Sequence, residues 1–344
     1  MHRALELAKL GAGKVSPNPM VGCVIVHKDI IIGEGFHKEF GGPHAEVNAV
    51  QNVPDKKVLA QSTAYVTLEP CSHFGKTPPC ADLLVSHGLR RVVIASGDPN
   101  PRVNGRGVAK MREAGIEVET GLLAEEADWL NRRFMTFHKL KRPYVILKWA
   151  QTADGYVARE NFDSKWISNS YARQLVHKMR AEEDAILVGY NTALYDNPKL
   201  NVRDWSGKAP VRVILDLELQ LPHTHRLLDN RMPTLIFNKL QDQKKDQTHW
   251  IRIVEKRPYE SLLEHLHERN IQSVIIEGGS KTLQQVIGNG YWDEAFIYQS
   301  KTNFGSGISA PTIEGELKSI ENVFDNILYR YQNANRNWKP GRKI

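Results

Sequence analysis

One histidine and two cysteines constrain this chain more than any other feature. His44-Ala45-Glu46 is followed by Pro70-Cys71, and eight residues separate Cys71 from Cys80. One imidazole and two thiolates fill three corners of a tetrahedral zinc site and leave the fourth for water. Zinc held in this way brings the pKa of a water molecule down to roughly 7. A glutamate two residues past the histidine can move protons without ligating the metal. The flanking pattern suits this arrangement. Residues 64–68 read as a short strand that delivers Glu69-Pro70-Cys71 at its end. His44 opens a helix running to about residue 52, so Glu46 sits at a positive helix end. A structural site is the competing reading, because His73 offers a fourth ligand and structural zinc usually fills all four positions.

His-x-Glu followed by Pro-Cys-x-x-Cys is the pattern of zinc-dependent base deaminases. The chain matches it except in the wider cysteine spacing. Around this site the residues alternate between helix and strand patterns. A helix is expected over 3–10, strands over 21–26 and 30–36, a helix from Cys80 to about 87 and a strand over 91–95. The loop Gly97-Asp98-Pro99-Asn100-Pro101 follows, then a helix over 107–114 and a strand over 116–120. Such alternation predicts an α/β unit with ligand contacts at strand ends. Apolar residues over 122–139 share one helical face, which predicts a linker helix ending at Arg142-Pro143.

A second α/β pattern starts at 144–150 and continues through strands at 185–189, 211–216, 234–238, 250–254, 273–276 and 295–298. Helices are expected over 170–181 and 261–269. Glu277-Gly278-Gly279-Ser280-Lys281-Thr282 is a strand-to-helix turn whose glycines and free N–H groups suit a phosphate. Its spacing is that of neither common nucleotide-binding glycine motif. The last 28 residues carry no readable pattern.

Composition narrows the function classes. A chain of 344 residues, 41% hydrophobic and 25% charged, suits two ordinary globular domains. No apolar run approaches the ~20 residues of a membrane span. The N-terminus reads as an amphipathic helix without a signal-peptide core, so a cytoplasmic location is expected. Three cysteines make no disulfide framework, and Cys23 falls in an apolar run as a buried strand residue. The net charge of +7 is modest and comes without a basic stripe bearing aromatics. Phosphorylated small molecules account for it as well as nucleic acid does.

The ordered motifs resemble the bifunctional deaminase/reductase family of riboflavin biosynthesis over about residues 1–330. Ser16-Pro17-Asn18-Pro19-Met20-Val21-Gly22, Gly41-Gly42-Pro43-His44-Ala45-Glu46, Glu69-Pro70-Cys71-Ser72-His73 through Cys80, and Asp98-Pro99-Asn100-Pro101 carry the deaminase half. Lys148-Trp149-Ala150, Asp154-Gly155, Ser164-Lys165-Trp166-Ile167-Ser168, Gly189-Tyr190-Asn191-Thr192, Asp196-Asn197-Pro198 and Glu277-Gly278-Gly279 carry the reductase half. Asn197 stands where a second Asp is expected.

The resemblance implies an α/β fold: an N-terminal cytidine-deaminase-like three-layer domain and a C-terminal domain similar to dihydrofolate reductase. The implied layout is a zinc-dependent deaminase domain over 1–121, a linker helix over 122–142, an NADPH-dependent reductase domain over 143–330 and a tail over 331–344. It implies Zn2+ on His44, Cys71 and Cys80, with Glu46 catalytic and Asn18, His37, Lys76, Asp98 and Asn100 on the substrate. It implies NADPH on Ala150, Trp166, Thr192, Asp196 and Gly279, Ser280, Lys281, Thr282, Leu283, Gln284 and Gln285. Ser164, Arg180, Leu200, Arg203 and Glu277 are the implied reductase substrate contacts, with the two arginines suited to phosphate. A phosphorylated pyrimidine substrate, no nucleic acid, no membrane and a homo-oligomer complete the expectation. The alternative is a nucleoside or tRNA deaminase with an unrelated C-terminal domain.

Overall fold

The computed structural model describes residues 1–72, 78–100, 103–165, 167–254, 256–335 and 337–338. It divides into two compact units, Met1–Lys139 and Leu140–Ile344. No helix among the described residues is long and apolar enough to cross a membrane.

The first unit runs α1 (His2–Lys9), β1 (Gly22–His27), β2 (Ile30–Phe36), α2 (Ala45–Gln51), β3 (Thr63–Leu68), α3 (Cys80–Ser86), β4 (Arg91–Ser96), α4 (Arg106–Glu113), β5 (Glu117–Thr120), α5 (Ala124–Leu130) and α6 (Arg132–Leu140). Its five strands lie in the order β2-β1-β3-β4-β5. The β1 pairings are antiparallel, and β3, β4 and β5 run parallel. Buried Cys23, Ile25, Ala64, Val66, Val92 and Ile94 form the sheet's core stripe, and Ala45, Ala49, Ala81 and Leu84 pack on it from α2 and α3. Cys23 is fully buried in a strand, as its apolar neighbours predict.

Gly33 and Gly35, which break the apolar pattern of β2, have a packing reason. A Cβ on Gly35 would lie 2.3 Å from the Ala49 backbone nitrogen, and one on Gly33 would lie 2.5 Å from the Ala49 carbonyl. The α2 backbone therefore lies directly on the sheet, and that helix carries Glu46.

The single helix expected over 122–139 is two helices, and both fall in the first unit apart from the final residue of α6. Asn131 separates them. Its side chain is almost fully buried and holds both backbone groups of Met20, accepting from the N–H at 2.8 Å and donating to the carbonyl at 2.9 Å. An apolar 3.6-residue period cannot register such a distant side-chain bond.

The second unit runs β6 (Tyr144–Gln151), β7 (Tyr156–Ala158), α7 (Ser170–Glu182), β8 (Ala185–Gly189), α8 (Tyr190–Asp196), β9 (Val211–Leu215), β10 (Thr234–Asn238), β11 (Gln243–Lys245), β12 (Thr248–Arg252), α9 (Pro258–Glu268), β13 (Ser273–Gly278), α10 (Ser280–Gly288), β14 (Glu294–Gln299), β15 (Ile308–Ser309), β16 (Glu316–Val323) and β17 (Asn326–Gln332). Ten strands form one sheet in the order β11-β12-β10-β9-β8-β13-β6-β14-β17-β16. Strands β12 through β14 in that order are mutually parallel. Runs such as Val145-Ile146-Leu147 and Val274-Ile275-Ile276 are buried throughout, as befits a sheet covered on both faces.

The C-terminal part, unreadable as sequence, supplies the antiparallel hairpin β16–β17 at the sheet edge. Trp338, within the segment expected to be a tail, is 2% exposed and belongs to the main core. Its ring lies 3.5 Å from the Arg142 guanidinium, and its carbonyl accepts from Arg142 Nε at 2.9 Å. Arg142 is itself fully buried and bound to Asp293 by two 2.7 Å hydrogen bonds.

Candidate active site

The first site is assembled from two helix starts and one strand end. His44 caps α2 in an extended conformation, and Glu46 follows in the first turn. Strand β3 delivers Cys71, and Cys80 begins α3. Their donor atoms converge: His44 Nδ1 lies 3.3 Å from Cys80 Sγ and 3.6 Å from Cys71 Sγ, and all three lie within 4.8 Å of one another. The Cys80 backbone N–H donates to Cys71 Sγ at 3.3 Å.

The electrostatics fit a cation. A hydrogen bond from Cys80 and contact with His44 draw the Cys71 thiol down, towards the thiolate. The bond with Cys71, burial and the Glu46 charge push the Cys80 thiol up. Two sulfurs and an imidazole within 4.8 Å of one another, beside a buried carboxylate, form a donor set suited to zinc. Burial, followed by the Cys71 charge, lifts the Glu46 carboxyl to about 7, with His44 opposing the shift. A group poised there both takes and gives a proton at neutral pH.

His37 stands beside the cluster, its ring edge-on to His44 with centroids 5.3 Å apart. Burial lowers its pKa, so the neutral imidazole is favoured. The Pro43 carbonyl, 3.0 Å from Nδ1, can only accept. Nε2 is therefore the acceptor for the Asn18 amide at 3.0 Å. The structure thus brings Asn18, His37 and His44 together. Asp98 and Asn100 lie on the loop after β4, where the Asn100 N–H donates to Asp98 Oδ1 at 2.8 Å. Lys76 and the alternative ligand His73 lie outside the described residues.

The second site is a cavity of about 880 Å³ over the ends of the parallel strands. Lys148 on β6 and Glu277 on β13 enter from adjacent strands. Arg180 comes from α7 and grips Glu277, Nε to Oε1 at 2.9 Å and Nη2 to Oε2 at 2.7 Å. Burial alone pushes the Glu277 carboxyl up, but Arg180 and Lys148 hold it at about 2. Burial lowers the Lys148 pKa against the pull of Glu277.

Most of the expected reductase residues line this cavity: Ala150, Ser164, Arg180, Thr192, Asp196, Leu200, Glu277, Gly279, Ser280, Lys281, Thr282, Leu283 and Gln285. Two glycines bring the β8 and β13 ends into close approach. A Cβ on Gly189 would lie 2.3 Å from Thr282 Oγ1, and one on Gly278 would lie 2.9 Å from Thr192. Gly279 has φ +67°, a value that favours glycine. Gln284 and Arg203 are not brought to the cavity wall. Gln284 accepts from the Thr312 N–H at 3.1 Å, and the Arg203 backbone N–H donates to His177 Nδ1 at 3.4 Å. Trp166 lies outside the described residues.

Lys148, Phe162 and Tyr195 are among the lining residues absent from the expected contacts. Lys148 had a signal, as the charged residue in an otherwise apolar strand. Phe162 and Tyr195, stacked in parallel with centroids 4.1 Å apart, had none.

Comparison with known proteins accounts for both sites. The cytidine and deoxycytidylate deaminase zinc-binding region matches residues 1–96, and the RibD C-terminal domain matches residues 143–328. The riboflavin biosynthesis protein RibD of Aquifex aeolicus is 41% identical over 327 residues, covering 93% of this chain and 91% of that protein. RibD of Escherichia coli is 37% identical over 326 residues, covering 89% and 88%. The crystal structure of a Thermotoga maritima diaminohydroxyphosphoribosylaminopyrimidine deaminase/5-amino-6-(5-phosphoribosylamino)uracil reductase is 40% identical, covers 97% of each chain and superposes with a TM-score of 0.88. The match over 143–328 removes the alternative of an unrelated C-terminal domain. The chain belongs to the RibD family of bifunctional deaminase/reductases of riboflavin biosynthesis.

Proposed function

We propose that this chain deaminates 2,5-diamino-6-ribosylamino-4(3H)-pyrimidinone 5′-phosphate and then reduces the ribosyl group to ribityl with NADPH. The observation that carries the first step is the convergence of His44, Cys71 and Cys80 within 4.8 Å, with Glu46 on the helix that His44 caps. Zinc held by these three residues supplies Lewis-acid activation of water at neutral pH. Glu46 accepts the proton of the attacking water and returns it to the departing amino nitrogen. A new C–O bond replaces the C–N bond and ammonia leaves. Asn18 and the neutral His37, held by one another and by Pro43, orient the pyrimidine together with Lys76, Asp98 and Asn100.

In the second unit NADPH supplies the hydride for the sugar C1′. Ala150, Trp166, Thr192, Asp196, Gly279 and the start of α10 (Ser280, Lys281, Thr282, Leu283 and Gln285) hold the cofactor. Ser164, Leu200, Arg180, Arg203 and Glu277 hold the substrate. Arg180 lines the cavity with two of its donors on Glu277, whereas the Arg203 guanidinium pairs with Asp204 at 3.4 Å and must leave that pair to meet the phosphate. Lys148, made a readier proton donor by burial, supplies the proton that balances the hydride. A small phosphorylated substrate matches the modest positive charge, and we place the enzyme in the cytoplasm as a homo-oligomer that binds no nucleic acid.

Mass analysis of the product tests this reading. The expected product has exchanged one NH for oxygen and, after NADPH is added, gained two hydrogens. A product lacking the exchange contradicts the deaminase assignment.

A further inference from the structure

Glu69 is a buried carboxylate that the chemistry above does not use. It follows β3, stands two residues before Cys71 and is 5% exposed. Its oxygens take four backbone N–H groups. Oε2 accepts from Asp98 at 3.4 Å and Gly105 at 2.9 Å, and Oε1 accepts from Gly107 at 3.0 Å and Val108 at 3.3 Å. Gly105 caps α4 and has no side chain to bond the first turn. The Glu69 carboxylate takes that place from another element, and the positive helix end favours its charge. A buried carboxyl group is costly unless its oxygens find donors, and these four N–H groups supply them.

A second contact fixes the same approach. A Cβ on Gly107 would lie 2.2 Å from the Pro70 carbonyl oxygen, so the start of α4 rests directly on that peptide. Asp98 is one of the clamped residues, and Asn100 lies between it and Gly105. The Val103 and Asn104 N–H groups donate to the Asn100 carbonyl at 2.9 and 3.1 Å. The loop is thereby tied at both ends to the two residues preceding Cys71.

We propose that Glu69 is a positioning residue of the deaminase site: its carboxylate holds Asp98 and Gly105 in one register against the Cys71 segment, so that Asp98 and Asn100 meet the pyrimidine together. The proposal rests on the reading of Asp98 and Asn100 as substrate contacts. Glutamine has the shape of glutamate but only one acceptor oxygen, and its NH2 would face N–H donors. Exchange leaves either the Asp98 and Gly105 N–H groups or those of Gly107 and Val108 without an acceptor, while Glu46 and the three ligands stay in place.

The test uses the full chain with Glu69→Gln, Glu69→Asp and Asn100→Ala, and reads ammonia release, bound zinc and reductase rate. Glu69→Gln is expected to raise the deaminase KM about tenfold, with kcat within about twofold. Bound zinc and the reductase rate stay unchanged, and amide exchange at Gly105, Gly107 and Val108 speeds up. Glu69→Asp, too short to reach both ends of the loop, is expected to behave in the same way. An unchanged KM in Glu69→Gln, beside a raised KM in Asn100→Ala, overturns the positioning role. A fall in kcat at constant KM, with zinc lost, also overturns it and makes Glu69 a fold residue only. An unchanged KM in Asn100→Ala overturns the substrate reading of the loop instead.

Discussion

Arg180 and Glu277 meet across the reductase cavity in a two-bond ion pair, and Lys148 Nζ lies 3.7 Å from the same carboxylate. All three side chains are at least 86% buried. One negative and two positive groups therefore share a nearly dry site, where each charge depends on the others.

Replacing Glu277 with glutamine removes the counter-charge of both cations. NADPH consumption is expected to fall while ammonia release continues, as separate assays of the two reactions will show. The pair also makes a pH-dependent contribution to stability. The Glu277 carboxyl is depressed from 4.5 to about 2, so the contribution is complete above about 4.5 and is lost as the pH falls towards 2. Denaturant midpoints across that window should fall more steeply for the native sequence than for Glu277→Gln.

Glu46→Gln keeps size and burial but removes the proton carrier. Ammonia release is expected to drop by ~10²–10⁴. Metal analysis should find zinc still bound, and the reductase rate on supplied deaminated substrate should be unchanged. Loss of zinc along with activity would make Glu46 a structural residue.

Removing zinc with a chelator should abolish ammonia release and expose two thiols to modification. Cys71 should react first, because its thiolate is the favoured form. Cys23, fully buried in β1, should stay unreactive in the folded chain. Thiol titration before and after zinc is restored checks both expectations.

Arg142→Met leaves Asp293 buried without its partner. Breaking a buried pair from one side costs ~3–5 kcal/mol. A fall of ~10 °C in the reductase unit's melting temperature is expected. Trp338→Ala removes the ring over the same guanidinium and should also destabilise the unit.

The metal cluster was legible because its chemistry is local in type and spacing: a His-x-Glu, a Pro-Cys and a second cysteine leave few other uses. The parallel strands were legible from apolar runs such as 273–276. Side chains that act over long separations were not. Arg142 reaches Asp293 and Trp338 across 151 and 196 positions, and no local pattern encodes either contact. Asn131 splits a regular helical stripe because of Met20, which is 111 positions away. Glu69 could be seen in the sequence before Pro70-Cys71, but its four amide partners lie 29 to 39 positions further on. The edge hairpin β16–β17 escaped notice because the residues of its outer strand, β16, are mostly exposed and mix apolar with charged types.

The most direct test is a two-step assay on the zinc-loaded chain. The diaminopyrimidinone ribosyl phosphate is supplied and ammonia release followed; NADPH is then added and its oxidation followed. The account predicts ammonia first and NADPH oxidation only afterwards. Absence of ammonia from a zinc-loaded sample would contradict it.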